Sequence, residues 1–315
     1  MSQQAEAVVP AARNLASVAT GKHKILGHLA MLLFAALVSA SYSLGALAAP
    51  HVAPGALNAM RFAVGVAVMA GVVAALTGGR IPPPRAPWRY LVLGGLMAVF
   101  FITMFMALRL TSPVSTGAVF TLMPLMSAVF GYFLLGQTPR PIVVASLVFA
   151  ALGSIWVIFG GDIDAILSFD LGRGEMIFFV GVLCHALYAP MIKKLHRSGE
   201  TLPVFTLWTM TGTGLCIAVY GVFEIMETDW LSLSLVVWLA IGYLAIFTSA
   251  GTTFLVQYGA MHLPAAKVMA YTYLSPCFII IYEGLLGHGW PSPAVAAGAV
   301  VIMLGLAVMA LSRDG

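Results

Sequence analysis

The stretch 113–139, PVSTGAVFTLMPLMSAVFGYFLLGQTP, carries no charged side chain across its 27 positions, has a proline at its centre (Pro124) and closes on a Leu-Gly-Gln-Thr-Pro turn. A second stretch, 264–291, PAAKVMAYTYLSPCFIIIYEGLLGHGWP, repeats the pattern around Pro276. Pro124 and Pro276 are 152 residues apart, as are Pro139 and Pro291, whereas Pro113 and Pro264 are 151 apart. The second copy therefore gains one residue before its proline. A proline inside an apolar helix removes a backbone hydrogen bond that lipid cannot replace. Each such helix predicts a neighbour or a cavity that satisfies the freed carbonyl. Two interrupted segments in corresponding positions of two halves point to the binding site of a transporter.

Charge settles the broad class. Only 8% of the 315 residues are Asp, Glu, Lys or Arg, 61% are hydrophobic and the mean hydropathy is +1.01. Soluble domains carry roughly 25% charged residues. A chain this poor in charge cannot cover a water-facing surface, so it is an integral membrane protein. The net charge of +4 comes from scattered Lys and Arg. No basic run interleaves with aromatics as a nucleic-acid groove requires. Cys184, Cys216 and Cys277 lie in apolar segments at unrelated spacings and read as packing residues.

A spanning helix needs about 20 apolar residues. Breakers and charges delimit ten candidates: 25–47, 55–76, 88–108, 113–135, 141–159, 174–193, 203–223, 234–257, 264–286 and 291–311. The run after Lys22-His23-Lys24 is too long for a signal-peptide core and reads as the first span. The organisation expected is a cytoplasmic tail over 1–24, a five-helix repeat over 25–160, a periplasmic linker over 161–173 and a second repeat over 174–312. With both termini in the cytoplasm, eleven of the 15 Lys and Arg fall inside; Arg109 and Arg173 fall outside, and Arg61 and Lys267 within helices. Five is an odd number, so the second repeat enters the membrane inverted. The fold expected is an all-α membrane protein of ten transmembrane helices in two inverted repeats, enclosing a chamber between the halves.

At these residues the chain resembles the drug/metabolite transporter superfamily, in particular its bacterial EamA-type permeases. The likeness rests on Pro54, Leu57 and Arg61 opening the second helix, on Thr116 through Pro124 with the Leu-Gly-Gln turn, and on Ala265 through Pro276 with the Leu-Gly-His turn. Glycine-containing helices over 144–159 and 297–310 close the two repeats. The resemblance implies an inner-membrane secondary transporter, with export favoured, for a metabolite such as an amino acid. Where the family commonly has Gly-Glu after the fourth and ninth helices, this chain has Gly136-Gln137 and Gly287-His288. The membrane-edge position makes the lost glutamate a structural cap rather than part of the site.

The buried polar residues are the candidate site. Lys267, Tyr271 and Ser275 share one face of the ninth helix. Lys267 either binds an anionic group or snorkels to the headgroups. Arg61, with Asn58 on its face, either holds a carboxylate in its planar fork or pairs with backbone carbonyls or a headgroup. Glu283 is a proton-coupling candidate or an interfacial carboxylate. His185 and Tyr188 lie within the sixth helix; the histidine either titrates or hydrogen-bonds its neighbours. Tyr42 and Trp208 are candidate aromatic walls, while the serines around Tyr42 also suit helix packing. Gln257 and the run 248–253 give the eighth helix a small polar face for helix contact.

The positive charges at Lys267 and Arg61 favour a zwitterionic or anionic small-molecule substrate. The bilayer is the other partner, and a homodimer is left open. No phosphate loop or metal spacing is present, so no cofactor is expected. The alternatives are a facilitative pore and, with no acidic or histidine cluster to support it, a membrane-embedded lipid-modifying enzyme.

Overall fold

In the computed structural model, residues 21–48, 50–111, 113–169, 171–285, 287 and 289–312 are described, without the side chains of 41–47, 108, 113–115 and 283. Tyr42 and Glu283 therefore lie outside the described side chains, although their backbones are helical, and the N-terminal tail before residue 21 lies outside altogether. Ten helices are long and apolar enough to cross a membrane. Among the described residues there is no strand.

The ten spans, in order, begin with Lys22–Ala48, Pro54–Leu76 and Trp88–Leu108. The fourth is broken into Pro113–Phe120 and Met123–Leu135. Pro141–Ile158, Arg173–Leu195 and Leu202–Tyr220 follow. The eighth runs through Leu235–Ala245, a π-turn over Ile246–Gly251, and Thr252–His262. The ninth is Ala265–Ala270, a 3₁₀ turn Tyr271–Leu274, and Ser275–Leu285; the tenth is Pro293–Leu311. Short helices Ile163–Leu167 and Val222–Glu227 lie between spans.

Prolines near the starts of several spans have a common physical reason. The first turn has no partner for its N–H groups, and proline's fixed φ already suits the helix. Pro54, Pro141 and Pro293 all sit there. The interrupted helices break ahead of their prolines, at 121–122 and 271–274, because the proline ring collides with the carbonyl four residues earlier. The eighth helix runs to His262, five residues beyond the expected 257. The Gln257 amide is hydrogen-bonded inside the bundle, so the helix continues past it.

Outward-facing Phe133 and Val219 are 76% and 77% exposed, as lipid contact requires. Inward, small residues bring backbones together. A Cβ on Gly94 would lie 2.4 Å from the Gly212 carbonyl carbon, so the third and seventh helices touch backbone to backbone. A Cβ on Gly153 would meet the Gly298 carbonyl oxygen at 3.0 Å, and one on Gly305 the Ser146 carbonyl oxygen at 3.0 Å, which locks the fifth helix to the tenth.

The helix contacts come in matched pairs. The third helix packs on the sixth and the first on the eighth; the third on the seventh and the eighth on the second; the fourth on the sixth and the ninth on the first. The second and seventh, fourth and ninth, and fifth and tenth pack directly on each other.

Candidate substrate pathway

We call the face where the first helix begins the near side and the other the far side. At the centre, the two interrupted helices meet. Tyr273 Oη, in the 3₁₀ turn of the ninth, donates to the Thr121 carbonyl oxygen in the break of the fourth at 2.7 Å. The neighbour demanded by a broken membrane helix is thus supplied by its own counterpart.

Beside this junction lies an aromatic group. His185, twelve residues into the sixth helix and so about 18 Å from its far end, packs its ring 4.4 Å from Phe100 and 6.2 Å from Phe120. Phe178 and Tyr188 complete the surround. His185 Nδ1 is buried and has no hydrogen-bond partner. A buried polar atom left open costs about 1–3 kcal/mol unless a ligand or water meets it.

Tyr188 joins a second network, in which Thr206 Oγ1 donates to Gln257 Oε1 at 2.6 Å and Gln257 Nε2 donates to Tyr188 Oη at 3.3 Å. Trp208 turns elsewhere, its Nε1 donating to the Pro82 carbonyl at 3.0 Å and pinning the loop before the third helix.

Arg61 lies about 10 Å from the far end of the second helix. The π-turn of the eighth helix receives it: Nε donates to Ser249 Oγ at 2.8 Å and Nη2 to the Thr248 carbonyl at 3.3 Å. Nη1 reaches Asn58 Oδ1 at 3.4 Å, and the guanidinium carbon lies 5.0 Å from the Phe101 ring centre. Its fork thus faces a hydroxyl, an amide and a carbonyl, and no ion pair to a carboxylate is formed among the described residues. The wide turn of a π-helix presents carbonyls and side chains laterally, which gives the arginine its seat.

The near side is held together by several ties, of which the Gln257 network is one. Arg89 donates to both carboxylate oxygens of Glu200, at 3.0 and 3.3 Å, and to the Leu195 carbonyl at 2.6 Å. Tyr90 Oη also donates to Glu200. Burial alone would raise the Glu200 pKa, but the bonds from Arg89 and Tyr90 and the Arg89 charge outweigh it and hold the carboxyl below its ordinary range. Lys267 is 1% exposed and its ammonium donates to the Ser312 carbonyl at 2.8 Å, just past the tenth helix. One turn on, Tyr271 Oη pairs with His28 Nδ1 at 2.8 Å, and Ser275 is buried beyond it. Gln137 Oε1 accepts from the Ala265 N–H at 3.0 Å and so caps the start of the ninth helix.

The far side is different. An open cleft there is lined by Asn58, Phe101, Phe105, Arg109, Tyr220 and Glu224. Glu224 Oε2 accepts from the Gly55 N–H at 2.5 Å, capping the second helix, while its Oε1 lies 3.9 Å from Arg109 Nη2.

The structure thus brings Arg61 with Asn58, and His185 with Tyr188, into two buried groups; Lys267, Tyr271 and Ser275 lie together at the near-side closure. The Arg89–Glu200 pair and the Arg109–Glu224 pair were missed by sequence reasoning. Their partners are more than 100 residues apart, so no local pattern marks them.

Ten apolar helices with buried polar groups, two of them broken at the centre, define a multi-pass membrane transporter. The chain belongs to the EamA-like transporter family, whose pattern matches it twice, over residues 25–159 and 172–311. It is 28% identical over 294 residues to the aromatic amino acid exporter YddG of Ancylobacter novellus, covering 91% of this chain and 96% of that one. It is 27% identical over 285 residues to the uncharacterized transporter YyaM of Bacillus subtilis, covering 89% and 92%. A chain of known crystal structure, 23% identical, superimposes with a TM-score of 0.74 over 92% of this chain and 96% of its own, a likeness of fold alone. The protein is a multi-pass bacterial membrane transporter.

Proposed function

We propose that this protein is a secondary active exporter of a zwitterionic metabolite, an aromatic amino acid being the leading candidate, and that it works by alternating access between two inverted five-helix repeats. The matched helix contacts support the inversion, since the main packing pairs of one repeat have counterparts in the other. The near side is the cytoplasm, from the excess of Lys and Arg there.

One observation carries the access cycle. The near-side half of the eighth helix and the first segment of the ninth pack on the sixth. Under the repeat, their counterparts are the far halves of the third and fourth helices against the first, and no comparable packing occurs there among the described residues. That difference between the two sides supports a far-side-open state, with a near-side-open state as its counterpart in the cycle.

Arg61, with Asn58, receives the substrate carboxylate, because the guanidinium forms no ion pair among the described residues. His185 and Tyr188 with the surrounding phenylalanines take the ring. When the near side opens, Lys267 exchanges the Ser312 carbonyl for the incoming carboxylate, beside Tyr271 and Ser275. Glu283 couples the cycle to protons, and Tyr42 flanks the path, whereas Trp208 serves the loop before the third helix. The exporter name and the aromatic class come from the relative; this chain's own aromatic group agrees with them, as does an arginine that forms no ion pair among the described residues.

The test is counterflow of L-phenylalanine in proteoliposomes holding the purified chain, with and without a pH gradient. Saturable exchange that responds to the gradient is expected. Linear, non-saturating flux indicates the facilitative pore instead and overturns the proposal.

A further inference from the structure

The far-side cleft holds a pair of opposite charges that the transport reading does not use. We propose that Arg109 and Glu224 form a release-side subsite for an amino acid's paired charges, distinct from the Arg61 group and reached from it across Phe101 and Asn58. The inference rests on the reading of the substrate as a zwitterion.

The geometry carries it as follows. Arg109 and Glu224 come from different repeats, at the far end of the third helix and in the short helix after the seventh. Their 3.9 Å separation is longer than a charge-assisted hydrogen bond, and Arg109 is 67% exposed. An exposed pair this loose contributes little to stability and separates at little cost.

The two partners differ in freedom. Glu224 is fixed, because one carboxylate oxygen is held by the Gly55 N–H while the other points at Arg109. Arg109 has no hydrogen bond among the described residues that would hold it in place. A fixed carboxylate facing a movable guanidinium across a cleft fits an ammonium and a carboxylate borne on one carbon. Phe101, Phe105 and Tyr220 line the same cleft and suit an apolar or aromatic side chain.

Asn58 connects the two places. It lines the cleft and also holds Arg61, and Phe101 lines the cleft while lying under the Arg61 guanidinium. A carboxylate leaving Arg61 toward the far side meets Arg109 next, so the cleft receives the substrate that the buried group releases.

The experiment measures half-saturation from the far side in proteoliposomes for three probes: L-phenylalanine, N-acetyl-L-phenylalanine, which lacks the ammonium, and phenethylamine, which lacks the carboxylate. Glu224→Gln keeps an oxygen for the Gly55 N–H, so the helix cap survives. It should weaken L-phenylalanine and phenethylamine by about ten- to a hundredfold and leave the N-acetyl compound unchanged. Arg109→Gln should weaken the two carboxylates and spare phenethylamine. The subsite is overturned if L-phenylalanine is unaffected by either variant, or if all three probes weaken alike with a lowered melting temperature. A wild-type chain that takes up none of the three overturns the parent reading and the subsite together, whereas normal wild-type uptake with indifferent variants overturns the subsite alone.

Discussion

Tyr273 donates its hydroxyl to the carbonyl oxygen of Thr121 across 152 residues, the same interval that separates Pro124 from Pro276. Each of the two residues precedes its own proline by three positions, and the two touch each other. Tyr273→Phe removes the bond and keeps the ring. Such interhelical bonds in membranes average about 0.6 kcal/mol, so a small fall in melting temperature is expected, on the order of 1 kcal/mol at most. The larger change should appear in turnover, because the bond joins the two helices that would part in the proposed access cycle. Unchanged turnover with unchanged stability would show that the junction is passive.

Gln137 caps the ninth helix through its side-chain oxygen, and its Nε2 is buried with no partner. Gln137→Ala should cost about 1 kcal/mol, the usual value of a lost N-terminal cap. Gln137→Glu retains the acceptor, removes the orphan donor and places negative charge at a helix start, so it should match or exceed the wild type in thermal unfolding. A Glu variant as unstable as the Ala variant would refute the cap.

Glu200 gives the pH dependence. Its folded pKa is depressed, so the stability it contributes is complete above the ordinary carboxylate value. That stability is lost as pH falls through the depressed value. Detergent-solubilised protein should therefore melt at a constant temperature at neutral pH and lower below the ordinary carboxylate range. Glu200→Gln should lower the neutral-pH value by the equivalent of about 1–3 kcal/mol and flatten the acid limb.

Gly94→Ala places a methyl 2.4 Å from the Gly212 carbonyl carbon and the Thr213 nitrogen, both backbone atoms that cannot swing away. The third and seventh helices must separate, at about 1–3 kcal/mol. Gly95→Ala is the control, since nothing lies within 4 Å of its added carbon. Equal melting temperatures for the two would contradict the backbone contact.

Arg61→Lys keeps the charge and loses the fork that spans Ser249 and Thr248. Half-saturation for a carboxylate substrate should rise about tenfold, the scale of one charged hydrogen bond, with folding retained. A lowered melting temperature with normal half-saturation would make the arginine purely architectural.

Much of the architecture was legible because lipid leaves few solutions. Length, apolar runs and breakers fixed ten spans, and proline positions marked the two interruptions to within a few residues. The wide turn at Ile246–Gly251 was not legible, since its run of small and hydroxyl residues is equally compatible with a regular helix. The candidate site was half legible. Isolated charges in apolar sequence stand out, as Arg61 and Lys267 did. Their partners do not, because Ser249 and Ser312 are ordinary residues that matter only through where the chain returns. The ion pairs at the two mouths were invisible for the same reason.

The wide turn in the eighth helix also has a consequence for chain length. A wide turn carries more residues per turn than a regular helix, so it takes in one extra residue without rotating the helix beyond it. Deleting one residue there should therefore let a regular helix re-form with the segment Thr252–His262 still presenting the same stripe to the bundle and Gln257 still opposite Thr206. An extra residue inside a regular helix would instead turn everything after it by about 100°. A one-residue deletion thus separates the two tasks of that segment, since it should keep the Gln257 network and lose the lateral seat of Arg61.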